Sequence, residues 1–108
     1  MGQPMNSTDD QILSMQERLI DEEADEFQKA VIHEQLGDPT ENVLKELCDL
    51  VFVCYQYAAC RGWDLDEAMH RVFLSNMSKL VNGKPMRRAD GKILKGPNYE
   101  EPMLLDLV

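Results

Sequence analysis

Apolar residues recur at helical spacing in three stretches of the chain, and glycine or proline punctuates each one. The first stretch begins near Ser7 or Thr8 and is predicted to run to about Leu36, with Gly37 a natural C-terminal stop. The second opens with Asp38-Pro39-Thr40-Glu41. That reads as an N-cap Asp, a Pro at the first helical position and a Glu completing a capping box. It extends to about Arg61, and Gly62 ends it. The third opens with a further capping box, Asp64-Leu65-Asp66-Glu67, and runs to about Leu80 or Val81, before Asn82-Gly83. Beyond it, Asp90-Gly91 signals a tight two-residue hairpin and Gly96-Pro97-Asn98 a turn. The pattern predicts an all-α fold of three main helices with a loop-rich or short-hairpin tail. At 108 residues the chain is read as one domain, with a helical core at about 8–81 and a tail at about 82–108.

The second helix is apolar nearly all round between Val43 and Cys60, through Leu44, Leu47, Leu50, Val51, Phe52, Val53, Tyr55, Tyr57 and Ala58. A helix apolar on every side must be covered on every side, and one chain supplies only two others. The expectation is a homo-oligomer, most simply a two-fold dimer with a four-helix-bundle core. Dimer and tetramer both remain open.

Carboxylates interrupt the apolar stripes. With Ile12 as zero and about 100° per residue, Leu19 falls at about −20°, Glu23 at about +20° and Glu26 at about −40°. Glu22 lies on the flank at about −80°, while Asp21, Asp25 and Glu17 face solvent. Lys29, three residues after Glu26, is the nearest basic partner on that side. On the second helix Glu46 and Asp49 stand three apart and project together, with Asp49 set among Cys48, Leu50, Phe52 and Val53. Lys45 points about 100° away from Glu46, which makes a salt bridge a weak explanation for Asp49. If the first two helices form an antiparallel hairpin, both pairs sit at similar heights. Four clustered carboxylates call for a cation. Their oxygen donors suit Mg²⁺ or Mn²⁺, and no Cys/His spacing supports zinc.

Charge sharpens this picture. The net charge of −9 is split unevenly: residues 1–70 hold 16 acids and 4 basic residues, and residues 71–108 hold 7 basic residues and 4 acids. Overall acidity argues against non-specific nucleic-acid binding. An acidic cluster followed by a basic block suits a small polyphosphate, although a basic segment is also an ordinary solvated tail. No apolar run is long enough to span a membrane, and the polar start of the chain gives no secretory signal. Cys48, Cys54 and Cys60 are odd in number and form no CxxC, as expected for small core residues in a reducing cytoplasm. In the third helix Asn76 lies on or beside the apolar face, and Lys79 follows one turn later. Either the pair is structural, or Asn76 reads sugar or base and Lys79 contacts phosphate. Lys92, Lys95 and Tyr99 could close over a ligand or form a solubilising tail. His33 and His70 have no partner at useful spacing, and Trp63 reads as a cap on the turn before the third helix.

The run Glu22-Glu23-x-x-Glu26 followed by Glu46-x-x-Asp49 resembles the EExxE…ExxD signature of the all-α nucleoside triphosphate pyrophosphohydrolases, in particular the small MazG-like type. Ser75-Asn76-Met77-Ser78-Lys79-Leu80, Lys84-Pro85, Asp90-Gly91-Lys92 and Lys95-Gly96-Pro97-Asn98-Tyr99 extend the likeness over roughly residues 15–100. The resemblance implies Mg²⁺-dependent cleavage (Mn²⁺ as a substitute) between the α- and β-phosphates of a (d)NTP. Glu23, Glu26, Glu46 and Asp49 would be metal ligands. Glu22 would hold a second metal or activate the water, so Glu22 and Glu46 carry the catalytic assignment. Asn76, Lys79, Lys92, Lys95 and Tyr99 would bind substrate. Base choice lies beyond the sequence, with (d)GTP the first guess. Two alternatives stand beside this reading. One is a phosphoribosyl-ATP, dUTP or dCTP hydrolase of the same group. The other is a non-catalytic helical module, which would use the exposed Asp21 and Asp25 rather than inward acids.

Overall fold

A computed structural model describes residues 9–108, so the expected start near Ser7 or Thr8 lies outside the described residues. The described residues are mostly helical, with three α-helices and one short two-stranded sheet. It divides into two compact units, the first ending at Trp63 and the second running from Asp64 to Val108.

The first unit is a helical hairpin. Helix α1 spans Asp10–Gln35, and the Asp9 carboxylate accepts from the N–H groups of Gln11 and Ile12 at 3.0 and 3.3 Å. Those groups have no partner inside the helix, so the cap stabilises its first turn. Helix α2 spans Glu41–Arg61 and packs along α1. The short connection at 36–40 turns the chain back, which makes the pair antiparallel. Asp38 does not cap α2 as its sequence setting suggests. Its N–H donates to the His33 carbonyl and its carboxylate faces His33 Nδ1 at 3.8 Å, so it closes α1 instead. Thr40 takes the N-cap position without a side-chain bond. Gly62 ends α2 as expected, at φ 74°, a left-handed conformation that glycine adopts without strain. Ala30, Val53, Ala58 and Cys60 are the buried apolar residues of this unit, and among the described residues no side chain is fully buried.

In the second unit, helix α3 spans Leu65–Met77, with Asp64 accepting from the Glu67 N–H at 3.1 Å. The helix stops at Met77, short of the expected Leu80 or Val81. Ser78 Oγ turns back onto the Ser75 carbonyl, and the N–H groups of Lys79 and Leu80 bond three residues back to Asn76 and Met77. Tightening of this kind commonly ends an α-helix. Asn82 and Gly83, at φ 52° and 74°, then form a two-residue turn with Val81 and Lys84 paired across it. Strands β1 (Met86–Arg87) and β2 (Ile93–Leu94) pair antiparallel, Met86 with Leu94 and Arg87 with Ile93. Their loop holds three residues rather than two. Arg88 pairs with Lys92, and Gly91 at φ 92° takes the left-handed position that such loops need. Tyr99 N–H donates to the Gly96 carbonyl, as the expected turn requires.

Two anchors tie the end of the chain to α3. Ser75 Oγ donates to the Glu100 carbonyl at 2.7 Å, and Glu100 N–H donates to Ser78 Oγ at 2.9 Å. Arg71 bonds Glu67 at 2.8 Å, both carboxylate oxygens of Asp106 at 2.6 and 3.1 Å, and the Met103 carbonyl at 3.0 Å. Hydrogen bonding to Asp106, then to Glu67, raises the Arg71 pKa, and hydrogen bonding to Arg71 lowers that of Asp106 below 3.8. A carboxylate with a lowered folded-state pKa contributes stability above its ordinary value and loses it as pH falls through the folded value. Asp106→Asn is therefore expected to speed amide hydrogen exchange at 103–107 at neutral pH. Wild-type protein should keep its protection to pH 3.8 and lose it only on further acidification.

Candidate metal centre

Glu23 on α1 and Glu46 and Asp49 on α2 each offer a carboxylate oxygen, and the three atoms lie within 4.8 Å of one another. All three residues are half-buried. The antiparallel hairpin produces this meeting. Glu23 stands on the inward stripe of α1, and Glu46 and Asp49 are one turn apart on the facing side of α2.

Lys45 alters the expected electrostatics. Its Nζ lies 2.8 Å from Asp49 and 3.5 Å from Glu46, so the salt bridge that looked weak from the sequence is present. Lys45 points away from Glu46 along the helix wheel but is i,i+4 to Asp49, which puts those two on adjoining turns. Its pKa is raised, first by the hydrogen bond to Asp49 and then by the charges of Asp49 and Glu46. Lys45 itself is exposed, so one solvated cation pairs with two of the three acids.

Glu26 stands outside this group. Its side chain is 54% exposed and Lys29 Nζ lies 3.9 Å away, while Lys29 pairs more closely with Asp25 at 2.9 Å. Its angle of about −40° from Ile12 tilts it toward the flank that Lys29 occupies. Glu26 and Glu46 nonetheless line one cavity of about 160 Å³, with Lys29, His33, Asp38 and Asn42. Glu22 is exposed and also outside the group. Asp21, Asp25 and Glu17 are exposed, as their angles imply.

The donor set is three carboxylates with no His or Cys among them. Hard oxygen donors of this kind suit Mg²⁺ or Mn²⁺ better than zinc, and three protein ligands leave positions for water and phosphate. The residues present therefore fit a divalent metal.

Among the other expected residues, Lys79, Lys95 and Tyr99 come together in the second unit. Lys95 Nζ lies 4.8 Å and Lys79 Nζ 6.0 Å from the centre of the Tyr99 ring. Gly96 makes this possible. Its N–H donates to the Lys79 carbonyl at 3.0 Å, and a Cβ there would stand 2.6 Å from that oxygen. Asn76 is exposed on α3 rather than inward, and the buried polar residue of that turn is Ser75. Lys92 sits on the hairpin loop, where its N–H reaches Asp90 Oδ1 at 3.2 Å. None of the three cysteines forms a disulfide. Among the described residues no helix is long and apolar enough to cross a membrane.

An all-α chain with carboxylates converging from two helices is the architecture that the resemblance implied. The chain belongs to the phosphoribosyl-ATP pyrophosphohydrolase family, whose model matches residues 2–76. It is thereby a pyrophosphohydrolase of a family that acts on nucleotides. The match takes in all three carboxylates and ends before Lys79 and the tail. No curated protein matches the chain.

Lys45 occupies the carboxylates that a metal would take. Lys45→Ala is expected to raise Mn²⁺ affinity by about two- to fivefold, the equivalent of one exposed ion pair. Isothermal titration of the two proteins checks this, and a weaker Mn²⁺ complex in the variant would contradict it.

Proposed function

We propose that this pyrophosphohydrolase cleaves a nucleoside triphosphate between its α- and β-phosphates, giving the monophosphate and pyrophosphate. The observation that carries the reading is the trio Glu23, Glu46 and Asp49, whose oxygens lie within 4.8 Å across two helices. These residues would hold Mg²⁺ or Mn²⁺, with Glu26 as a further ligand. When bound, the metal neutralises charge on the phosphate oxygens and lowers the pKa of a water. Glu22, exposed and next to Glu23 in the chain, would take the proton from the attacking water. The water oxygen bonds to phosphorus, the bridging P–O bond breaks, and pyrophosphate leaves with the electron pair. Glu46, the least exposed of the α2 acids at 20%, fixes the geometry of the centre. Lys79 and Lys95, gathered at Tyr99, are assigned to phosphate, and Asn76, Lys92 and Tyr99 are further candidates for substrate contact. A (d)GTP-like purine nucleotide is the first substrate to assay.

The family match favours a second reading, in which the substrate is phosphoribosyl-ATP. The same bond is broken by the same residues, so only the recognition of the nucleoside differs.

The reading includes self-association in a cytoplasmic setting. Leu44, Leu47, Val51, Phe52 and Tyr55 are exposed by 41–64% along α2, and no side chain among the described residues is fully buried. A second copy would cover this stripe.

Incubation with Mg²⁺ and each common (d)NTP, followed by product separation, should yield monophosphate and pyrophosphate. Glu46→Gln should lose about 100-fold in rate, the upper end of what changes around metal ligands cost. Turnover of phosphoribosyl-ATP alone would select the second reading, and equal turnover by Glu46→Gln would contradict both. Light scattering should give a multiple of the 12.4 kDa chain mass, falling toward one chain in Phe52→Glu.

A further inference from the structure

We infer that Gln16 and Gln56 form a pocket that reads the heteroaromatic base of the nucleotide; this rests on the pyrophosphohydrolase reading above. Gln16 is buried in α1 at 5% exposure, and its Oε1 has no hydrogen-bond partner among the described residues. It lines a cavity of about 310 Å³ with Gln56, Ala59 and Cys60 of α2. That volume is at the lower end of small-molecule sites, which begin at about 300 Å³.

A buried amide oxygen without a donor is costly, and a ligand that supplies an N–H removes the cost. The lining narrows the class of ligand. An apolar molecule would leave Oε1 unsatisfied. An anion would meet no cation, because none of the described residues lining the cavity is basic. A flat ring whose edge carries a donor beside an acceptor matches a carboxamide, as glutamine matches the N6 and N7 edge of adenine. Ala59 and Cys60 add small surfaces against which such a ring can lie.

Position supports the same class. Gln16 precedes Glu23 by seven residues on α1, and Gln56 follows Asp49 by seven on α2. In an antiparallel hairpin both steps run the same way, so the cavity lies two turns, about 10 Å, from the carboxylates. A ribose spans such a gap when the phosphates sit at the acids. Gln16 also falls at about +40° from Ile12, on the apolar stripe that holds Glu23.

The test is an NMR titration of the full chain, without metal, with adenosine, guanosine, cytidine and uridine. These carry no phosphate, so binding reports on the base and sugar alone. One base should bind about tenfold more tightly than the weakest. Gln16→Met and Gln56→Met should each narrow that preference to within about threefold, leaving Mn²⁺ affinity unchanged. Gln56 is only half-buried, so its variant keeps the test decisive if Gln16→Met fails to fold. Equal or absent binding of the four nucleosides would overturn the pocket, as would variants with wild-type preference. A change of oligomeric mass in Gln16→Met would also overturn it, by making the cavity a subunit contact. Glu46-dependent hydrolysis without base preference would overturn the pocket alone. A Gln16-dependent preference in a protein that hydrolyses no nucleotide would overturn the pyrophosphohydrolase reading alone.

Discussion

Three carboxylates held within 4.8 Å of one another are the constraint on which the first unit is organised. Two like charges at about 4 Å repel by about 1 kcal/mol in water and by about 4 kcal/mol at the dielectric near a protein surface. The hairpin holds them together through packing elsewhere: Ala30 on α1 and Val53, Ala58 and Cys60 on α2 are buried. Register matters as much as packing. A slip of one helical turn would carry Glu23 about 5.4 Å from its partners and dissolve the group. Asp38, bonded to His33 at the end of α1, belongs to the short connection that turns the chain back.

The distribution of charge follows the division of the chain. Residues up to Trp63 hold thirteen acids against four basic residues, whereas the second unit holds seven of each. The whole net charge of −9 therefore belongs to the unit that carries the carboxylate trio. A field of that sign raises the local concentration of cations and disfavours a bare polyphosphate, which makes a metal-bound nucleotide the better matched partner. The lysines gathered at Tyr99 lie in the balanced unit, where they meet no such excess of acid.

Much of this was legible in the sequence because helical periodicity is a strong signal. It located three helices, the Asp64 cap, the Gly62 stop and the inward direction of Glu23, Glu46 and Asp49. Periodicity failed where a short-range choice decides. Asp38 could cap the helix ahead of it or close the one behind, and its N–H found the His33 carbonyl first. Glu26 sat near the edge of the stripe, where a long side chain can turn to Lys29 instead of inward. Asn76 and Ser75 exchanged roles because the end of α3 is set by bonds to Glu100, a residue 25 positions beyond Ser75. Gln16 carried the same signal as the carboxylates, a polar residue on an apolar stripe, but an uncharged amide costs far less to bury than a carboxylate and so marks a site less sharply.

Lys45 shows why the trio tolerates its own repulsion. An exposed lysine bonded to Asp49 and near Glu46 balances one of three negative charges, and those two carboxylates in turn favour its charged form. A buried, rigid cation would balance the site permanently and compete with any metal. A lysine on a flexible stem in solvent gives a weaker contact, which a divalent ion with twice the charge can displace. The geometry thus suits a site that holds its shape before a cation arrives and surrenders little when one does.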